Sequence, residues 1–402
     1  GSRATSSTQP TAHDSKFWQG STVLVFHGMK ESVEISNVSQ TIADVAQESA
    51  WGFNFVRLHV HWSDLEPNHP VKNGSTWTHT YNAQYVDAIK QDLAAIQSHG
   101  MWALIENDGD QVDSYFAYPL WLYQAPYNSH GITYSTNLTG LLQAQTNFWS
   151  DALQQQFMAD FFRYLATQLA PVGGIAGYEV MNEPQAGNLP PNTATTQAIV
   201  NWQLGAAKVI RAADPNRIIA FTTHEGFAPG ISDPALSLTD WVTAPPSDPN
   251  GLPQPMGVPD VAFDAHDYFG GRWGTGLNRT VGTDYQEGYQ VLYDNTLAPD
   301  PPPYVGSTLG QLRWIQDKTT SLAKWKIPLI VAELGDPYTD PGAPLLFGTA
   351  TAALNSVWVS WSVSGSNNGI VDGNGNLRSY GQIVVDAAKK YPLSPAQGDA
   401  LG

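Results

Sequence analysis

The run Ile175-Ala176-Gly177-Tyr178-Glu179-Val180-Met181-Asn182-Glu183-Pro184 is a short apolar strand pattern that leads straight into Asn-Glu-Pro. It sets an amide, Asn182, and a carboxyl, Glu183, at the carboxyl end of a strand. About 150 residues on, Ile327-Pro328-Leu329-Ile330-Val331-Ala332-Glu333 repeats the arrangement, an apolar run ending on a glutamate. Two strand-end carboxyls on one scaffold are the requirement for cleaving a glycosidic bond, with one as proton donor and the other as nucleophile. A lone strand-end glutamate could equally be half of a structural ion pair. The matching partner and the Asn-Glu-Pro context favour chemistry.

Short β-rich runs alternate with helical ones along the chain, which is the pattern of a parallel sheet with crossover helices. Strands are expected at 22–27, 53–59, 102–107, 175–181, 217–223, 261–266, 328–332 and 356–361. Apolar residues at helical spacing predict helices over 38–51, 81–99, 151–169, 195–213 and 381–391, with Gly100 closing the second. Eight strands with helices between them predict an α/β fold, a single (β/α)8 TIM barrel whose reactive groups gather at the strand C-termini. Residues 1–16, with Gly1-Ser2 resembling a tag scar, read as a polar lead-in; 17–395 read as the catalytic domain and 396–402 as a tail. Three long insertions, 109–149, 225–260 and 269–308, fall where loops would shape a cleft.

Composition narrows the partners. Lys+Arg 19 against Asp+Glu 36 gives a net charge of -17, which disfavours nucleic acid and anionic membrane surfaces. The acidic balance fits a secreted enzyme. No run of 18 apolar residues offers a membrane span, and without cysteine there are neither disulfides nor thiolate metal sites. No metal or other cofactor is expected: His59, His61 and His69 lack a third ligand at zinc spacing. Asp372-Gly373-Asn374-Gly375-Asn376 lacks the sixth-position glycine and distal glutamate of a calcium loop, so it reads as a turn. An esterase would need a Gly-x-Ser-x-Gly elbow, and the chain has none.

Taken in order, Phe26-His27-Gly28, Gly52-Phe53-Asn54-Phe55-Val56-Arg57-Leu58, Trp62, Glu66-Pro67, Asn182-Glu183-Pro184, His266-Asp267-Tyr268, Ala332-Glu333-Leu334-Gly335 and the Trp-rich eighth strand resemble glycoside hydrolase family 5, a group of retaining (β/α)8 enzymes. The resemblance covers most of the chain. It implies Glu183 as acid/base and Glu333 as nucleophile in a double displacement on β-glucosidic linkages. Arg57 would hold Glu333 ionised, Asn182 would donate to the sugar 2-OH, His266 and Tyr268 would bond around nucleophile and sugar, and Trp361 would be the stacking platform. The stretches 62–67 and 369–380 are similar to the endoglycoceramidase-like branch, which cleaves β-glucosides of lipid or other apolar aglycones. Asp108 stands where that branch has a histidine, which implies different contacts to the first sugar. Endo-β-1,4-glucanase or mannanase action is the alternative, and a binding-only barrel a remote one. Tyr115, Phe116, Tyr118, Trp121, Tyr123 and Tyr127 would either line an aglycone site or pack on one another as a lid.

Overall fold

Along the strands the inward-facing side chains change character from one end to the other. In β2 (Phe55–Val60) they run Phe55, Arg57, His59, and in β3 (Trp102–Asn107) they run Trp102, Leu104, Glu106, all buried. The amino-terminal ends are apolar and the carboxyl-terminal ends ionisable, so the sequence itself divides the interior into a dry plug and a polar mouth. The plug consists of Phe26, Phe55, Trp102, Leu104, Ala176, Ile218, Ala220, Ala262, Ile330 and Ala332. These fill the centre as a packed core, not a pore.

The computed structural model describes residues 26–107, 118–182, 184, 187–190, 193–215, 217–222, 261–268, 329–335, 343–356, 359–364 and 369–390. The remaining barrel strands are β1 (His27–Ser32), β4 (Ile175–Glu179), β5 (Ile218–Thr222), β6 (Val261–Tyr268), β7 (Leu329–Gly335) and β8 (Ser360–Val363). All eight pair in parallel and close in the order β1-β8-β7-β6-β5-β4-β3-β2. The expected single (β/α)8 barrel is therefore the observed fold. A small antiparallel hairpin, Val71–Asn73 with Thr76–Thr78, lies outside it.

Helices α1 (Val38–Trp51), α2 (Ala83–Ser98), α3 (Leu138–Phe148), α4 (Ala152–Leu169), α5 (Thr193–Ala213), α6 (Ala343–Ser356) and α7 (Gly381–Lys390) are the long ones among the described residues. Their ends follow local chemistry. The side chains of Asn82, Asn137 and Asp151 accept from the first-turn N–H groups of Gln84, Gly140 and Gln154. Gly52 ends α1 at φ 101, a left-handed value that glycine adopts without strain, and its N–H closes on Glu48 and Ser49 carbonyls. On α4 the face formed by Phe157, Met158, Phe161, Phe162, Leu165 and Leu169 is buried in the layer between barrel and helices. Each such side chain contributes about 1.5–3 kcal/mol on leaving water. Gly28 meets a harder demand, because a Cβ there would stand 1.9 Å from the Phe55 carbonyl oxygen and force β1 off β2.

The structure corrects two boundaries. The run at 356–361 is not a strand throughout: α6 continues to Ser356 and β8 begins at Ser360. Of the strand expected at 22–27, residues 22–25 lie outside the described residues, and the described β1 runs on to Ser32. Helix α3 and the buried aromatics Trp121, Tyr123 and Tyr127 occupy part of the 109–149 insertion. Trp121 donates to the Glu66 carbonyl at 3.0 Å and packs edge-on to Trp62, Tyr127 and Phe157. The described aromatics of that insertion are thus buried mainly against the helix layer, on Trp62 and Phe157, as well as on one another. The other two insertions, 225–260 and 269–308, lie outside the described residues, as do Tyr115 and Phe116. No helix among the described residues is long and apolar enough to cross a membrane.

Candidate active site

Two β-bulges aim the mouth. Between β3 and β4, Ala103 pairs with Ile175 but Leu104 pairs with Gly177, so Ala176 is an extra residue. Strict alternation from the inward Ala176 would turn Glu179 outward; the bulge turns it in, and Tyr178 instead points out to Asp214. In β7 the partners jump from Val331 to Glu333 against β6, and from Val331 to Leu334 against β8. Ala332 is the extra residue there. It stays in the apolar plug while Glu333, which follows it, also faces inward, 2% exposed.

Arg57 is the hub of the mouth, fully buried. Its Nε and Nη2 donate to Glu179 Oε2 and Oε1 at 2.9 and 2.6 Å. Nη1 donates to Glu333 Oε1 at 2.5 Å and to His59 Nε2 at 3.2 Å, and Nη2 donates to Asn182 Oδ1 at 2.8 Å. A guanidinium has five N–H groups and accepts nothing, so all five are used here. It follows that His59 Nε2 is the accepting ring nitrogen and that the ring proton sits on Nδ1. That atom lies 3.0 Å from Glu106 Oε2, off the ideal hydrogen-bond line. The same logic orients Asn182: its oxygen is held by Arg57, which turns the amide nitrogen away from the guanidinium.

Glu333 gathers the cations. Oε1 takes Arg57 Nη1 and, at 2.8 Å, Lys30 Nζ; Oε2 faces His266 Nδ1 at 3.8 Å. Burial alone would raise its pKa, but Lys30, His266 and Arg57 together hold it well below the ordinary carboxylate range. Glu179 goes the other way. Burial pushes it up, Asp264 and Glu106 add to the rise, and Arg57 opposes it. On Arg57 itself burial works against the charge, while Glu179, Glu106 and Glu333 push its pKa further up. His266 sits beside Asp264, Nε2 to Oδ2 at 3.3 Å, and Asp264 Oδ1 accepts from the Ala332 N–H at the β7 bulge.

The structure thus brings Arg57, Asn182, His266 and Glu333 together. Tyr268 closes β6 opposite Gly335. Glu183 and Asp108 lie outside the described residues, as does Trp358. Trp361 is a correction. The inward positions of β8 are Ser360 and Ser362, so Trp361 points outward, where it is fully buried. There it stacks on His27 with ring centroids 4.7 Å apart and donates to Asn355 of α6 at 3.0 Å. It cannot support a sugar in the mouth. Asp372 accepts from the N–H groups of Asn374 and Asn376, so that segment is the expected turn. His59, His61 and His69 diverge: the first faces Arg57, the second Asp64, the third stacks on Tyr127.

Sequence reasoning passed over Lys30, Glu106, Glu179 and Asp264. Glu106 and Asp264 carried a signal, an ionisable residue two positions from an inward one inside an apolar strand. Glu179 and Lys30 did not, since a bulge hides the first and β1 was placed too early for the second. Glu179, Asp264 and His266 bring ligand atoms close enough to hold a metal ion. The bidentate Arg57 already supplies the positive charge at Glu179, so these residues do not make a good cation seat.

Residues 16–367 match the family described as cellulase (glycosyl hydrolase family 5). No curated protein sequence matches the chain significantly. Among solved structures, endo-glycoceramidase II from Rhodococcus sp. shares the fold with a TM-score of 0.63 and 16% identity, over 94% of this chain and 80% of that one. Exo-β-1,4-mannosidase Op5Man5 from Opitutaceae bacterium strain TAV5 aligns with TM-score 0.59 and 17% identity, over 91% of this chain and 59% of that one. The GH5-4 broad specificity endoglucanase from Clostridium acetobutylicum gives TM-score 0.57 and 12% identity, over 94% and 99%. At such identities the likeness is one of fold.

Proposed function

Because the chain belongs to glycosyl hydrolase family 5, a family of retaining O-glycosyl hydrolases, we propose that it cleaves β-glucosidic linkages by double displacement, with Glu333 as nucleophile and Glu183 as acid/base. The observation that carries this reading is the cationic clamp on Glu333, which keeps a buried carboxylate ionised and fixed at the carboxyl end of β7. In the first step a Glu333 oxygen bonds the anomeric carbon as the bond to the leaving oxygen breaks, and Glu183 gives that oxygen its proton. In the second, Glu183 takes a proton from water, the water oxygen bonds the anomeric carbon, and Glu333 leaves as carboxylate. Asn182, oriented by Arg57, is the donor for the sugar 2-OH, and His266 steadies the second oxygen of Glu333.

The nature of the aglycone belongs to the same proposal. The neighbours that share the barrel are named for a glycoceramide, a mannoside and a glucan, so the scaffold does not choose among sugars. The aromatics at 118–127 are turned largely into the core rather than toward solvent, which favours a wall around a glucoside pocket over a greasy aglycone surface. Hydrolysis of aryl β-glucoside, β-cellobioside and β-mannoside by wild type and by Glu333→Ala, with and without azide, tests the reading. The expected result is turnover of the β-glucoside by wild type, none by the variant, and azide rescue giving the α-glycosyl azide. Mannoside or cellobioside turnover alone would replace the substrate assignment, and near-native turnover by Glu333→Ala would remove the nucleophile assignment.

A further inference from the structure

Lys30 and Arg57 are register partners on adjacent parallel strands, and both side chains point into the barrel. Like charges on neighbouring strands repel, and here a single atom answers both: Lys30 Nζ and Arg57 Nη1 lie 2.8 and 2.5 Å from the same Oε1 of Glu333. The lysine reaches β7 from β1 across β8, whose inward residues there are the small Ser360 and Ser362. Its side chain is 22% exposed, so the ammonium sits at the solvent-facing edge of the clamp while Arg57 forms the floor.

We propose that Lys30 is a positioning residue for the nucleophile: with Arg57 it pins Oε1 of Glu333 from two sides, leaving Oε2 as the oxygen that bonds the anomeric carbon. This rests on the reading of Glu333 as nucleophile. A carboxylate held through one oxygen keeps its other lone pairs oriented, and orientation of this kind lowers the barrier without any change in ground-state binding. Once Oε2 has formed the ester, Oε1 is the carbonyl oxygen. It regains negative charge as the ester breaks in the second step, and the two cations already stand beside it.

The test reads Glu333 directly and needs no substrate. The protein is labelled with glutamate carrying ¹³C at the side-chain carboxyl, the Glu333 resonance is identified by its loss in Glu333→Gln, and its titration is followed in wild type, Lys30→Met and Lys30→Arg. The groups that face Glu333 among the described residues are Lys30 on β1, Arg57 and His59 on β2 and His266 on β6, with Glu106, Glu179 and Asp264 behind them. Only the first changes in these variants. The expected midpoint in Lys30→Met lies about one pH unit or more above wild type, and Lys30→Arg returns it. The acidic limb of kcat/KM follows the same shift, with kcat falling and KM little changed. Coincident titrations of wild type and Lys30→Met overturn the proposal. If Lys30→Met does not fold, wild type decides, because a Glu333 midpoint at or above that of an ordinary glutamate overturns it too. A crystal structure of the trapped glycosyl-enzyme in which the oxygen facing Lys30 carries the sugar would refute the oxygen assignment. Azide rescue of Glu333→Ala keeps the outcomes apart: rescue with an unmoved titration sinks only the role of Lys30, whereas activity without Glu333 sinks the underlying reading.

Discussion

Replacing Arg57 by lysine keeps a positive charge in the mouth but reduces five N–H donors to three. The structure gives those five donors five acceptors, two on Glu179 and one each on Glu333, His59 and Asn182. At least two acceptors are therefore stranded, and a compact ammonium cannot span the bidentate geometry of Glu179. Hydrogen bonds to charged groups are worth about 1.5–3 kcal/mol each, so the expected loss is about 3–5 kcal/mol, the scale on which buried ion pairs break. With an unfolding entropy of about 2.1 cal/mol/K per residue, that lowers the apparent Tm of a chain this long by roughly 4–6 °C. Because Glu333 and Asn182 lose their orientation as well, kcat/KM should fall by about 10²–10³, the size of effect seen when one oriented donor is removed. Differential scanning calorimetry and steady-state kinetics on Arg57→Lys read both quantities. A Tm within a degree of wild type would refute the five-donor account, whatever happens to the rate.

Two further outcomes follow from the same geometry. Asp92 on α2 is buried, with no hydrogen-bond partner for either oxygen among the described residues, and burial followed by repulsion from Glu31 pushes its pKa up to about 7. A carboxyl whose folded pKa is raised stabilises the fold below its unfolded pKa and loses that contribution as pH rises through the folded one. Asp92→Asn should therefore gain Tm over wild type progressively between about pH 4 and pH 7, and thermal scans showing a constant difference across that window would contradict the reading. Trp361→Phe should lower stability by about 1–3 kcal/mol, through the lost bond to Asn355 and lost volume. It should leave KM within about twofold, since the ring faces away from the mouth; a large rise in KM would restore Trp361 as a sugar platform.

The sequence was legible where local rules and the barrel agree, and less so where they conflict. Alternation in Phe55-Val56-Arg57-Leu58-His59 shows which side chains face in, because β2 keeps its register with both neighbours. The same rule fails at Glu179 and Glu333, since each strand carries one extra residue and the count slips by one. Such bulges are set by pairing with adjacent strands, which no single strand's sequence contains. Helix α6 was missed because Gly348 and its many alanines give no clear apolar stripe, and this displaced β8; the platform role of Trp361 was carried over from the resemblance alone, which says nothing of the face this side chain takes. Lys30 was overlooked for a similar reason. Its role depends on small serines in a strand more than 300 residues away, a relation that appears only when the barrel closes.

The most direct test of the central claim is to trap the first half-reaction. Incubation with an activated 2-deoxy-2-fluoro β-glucoside should yield an enzyme heavier by one fluoro-sugar, and peptide mapping should place the label on Glu333. A label on any other side chain, or turnover that inverts the anomeric centre without forming an adduct, would contradict the assignment of Glu333 as the nucleophile.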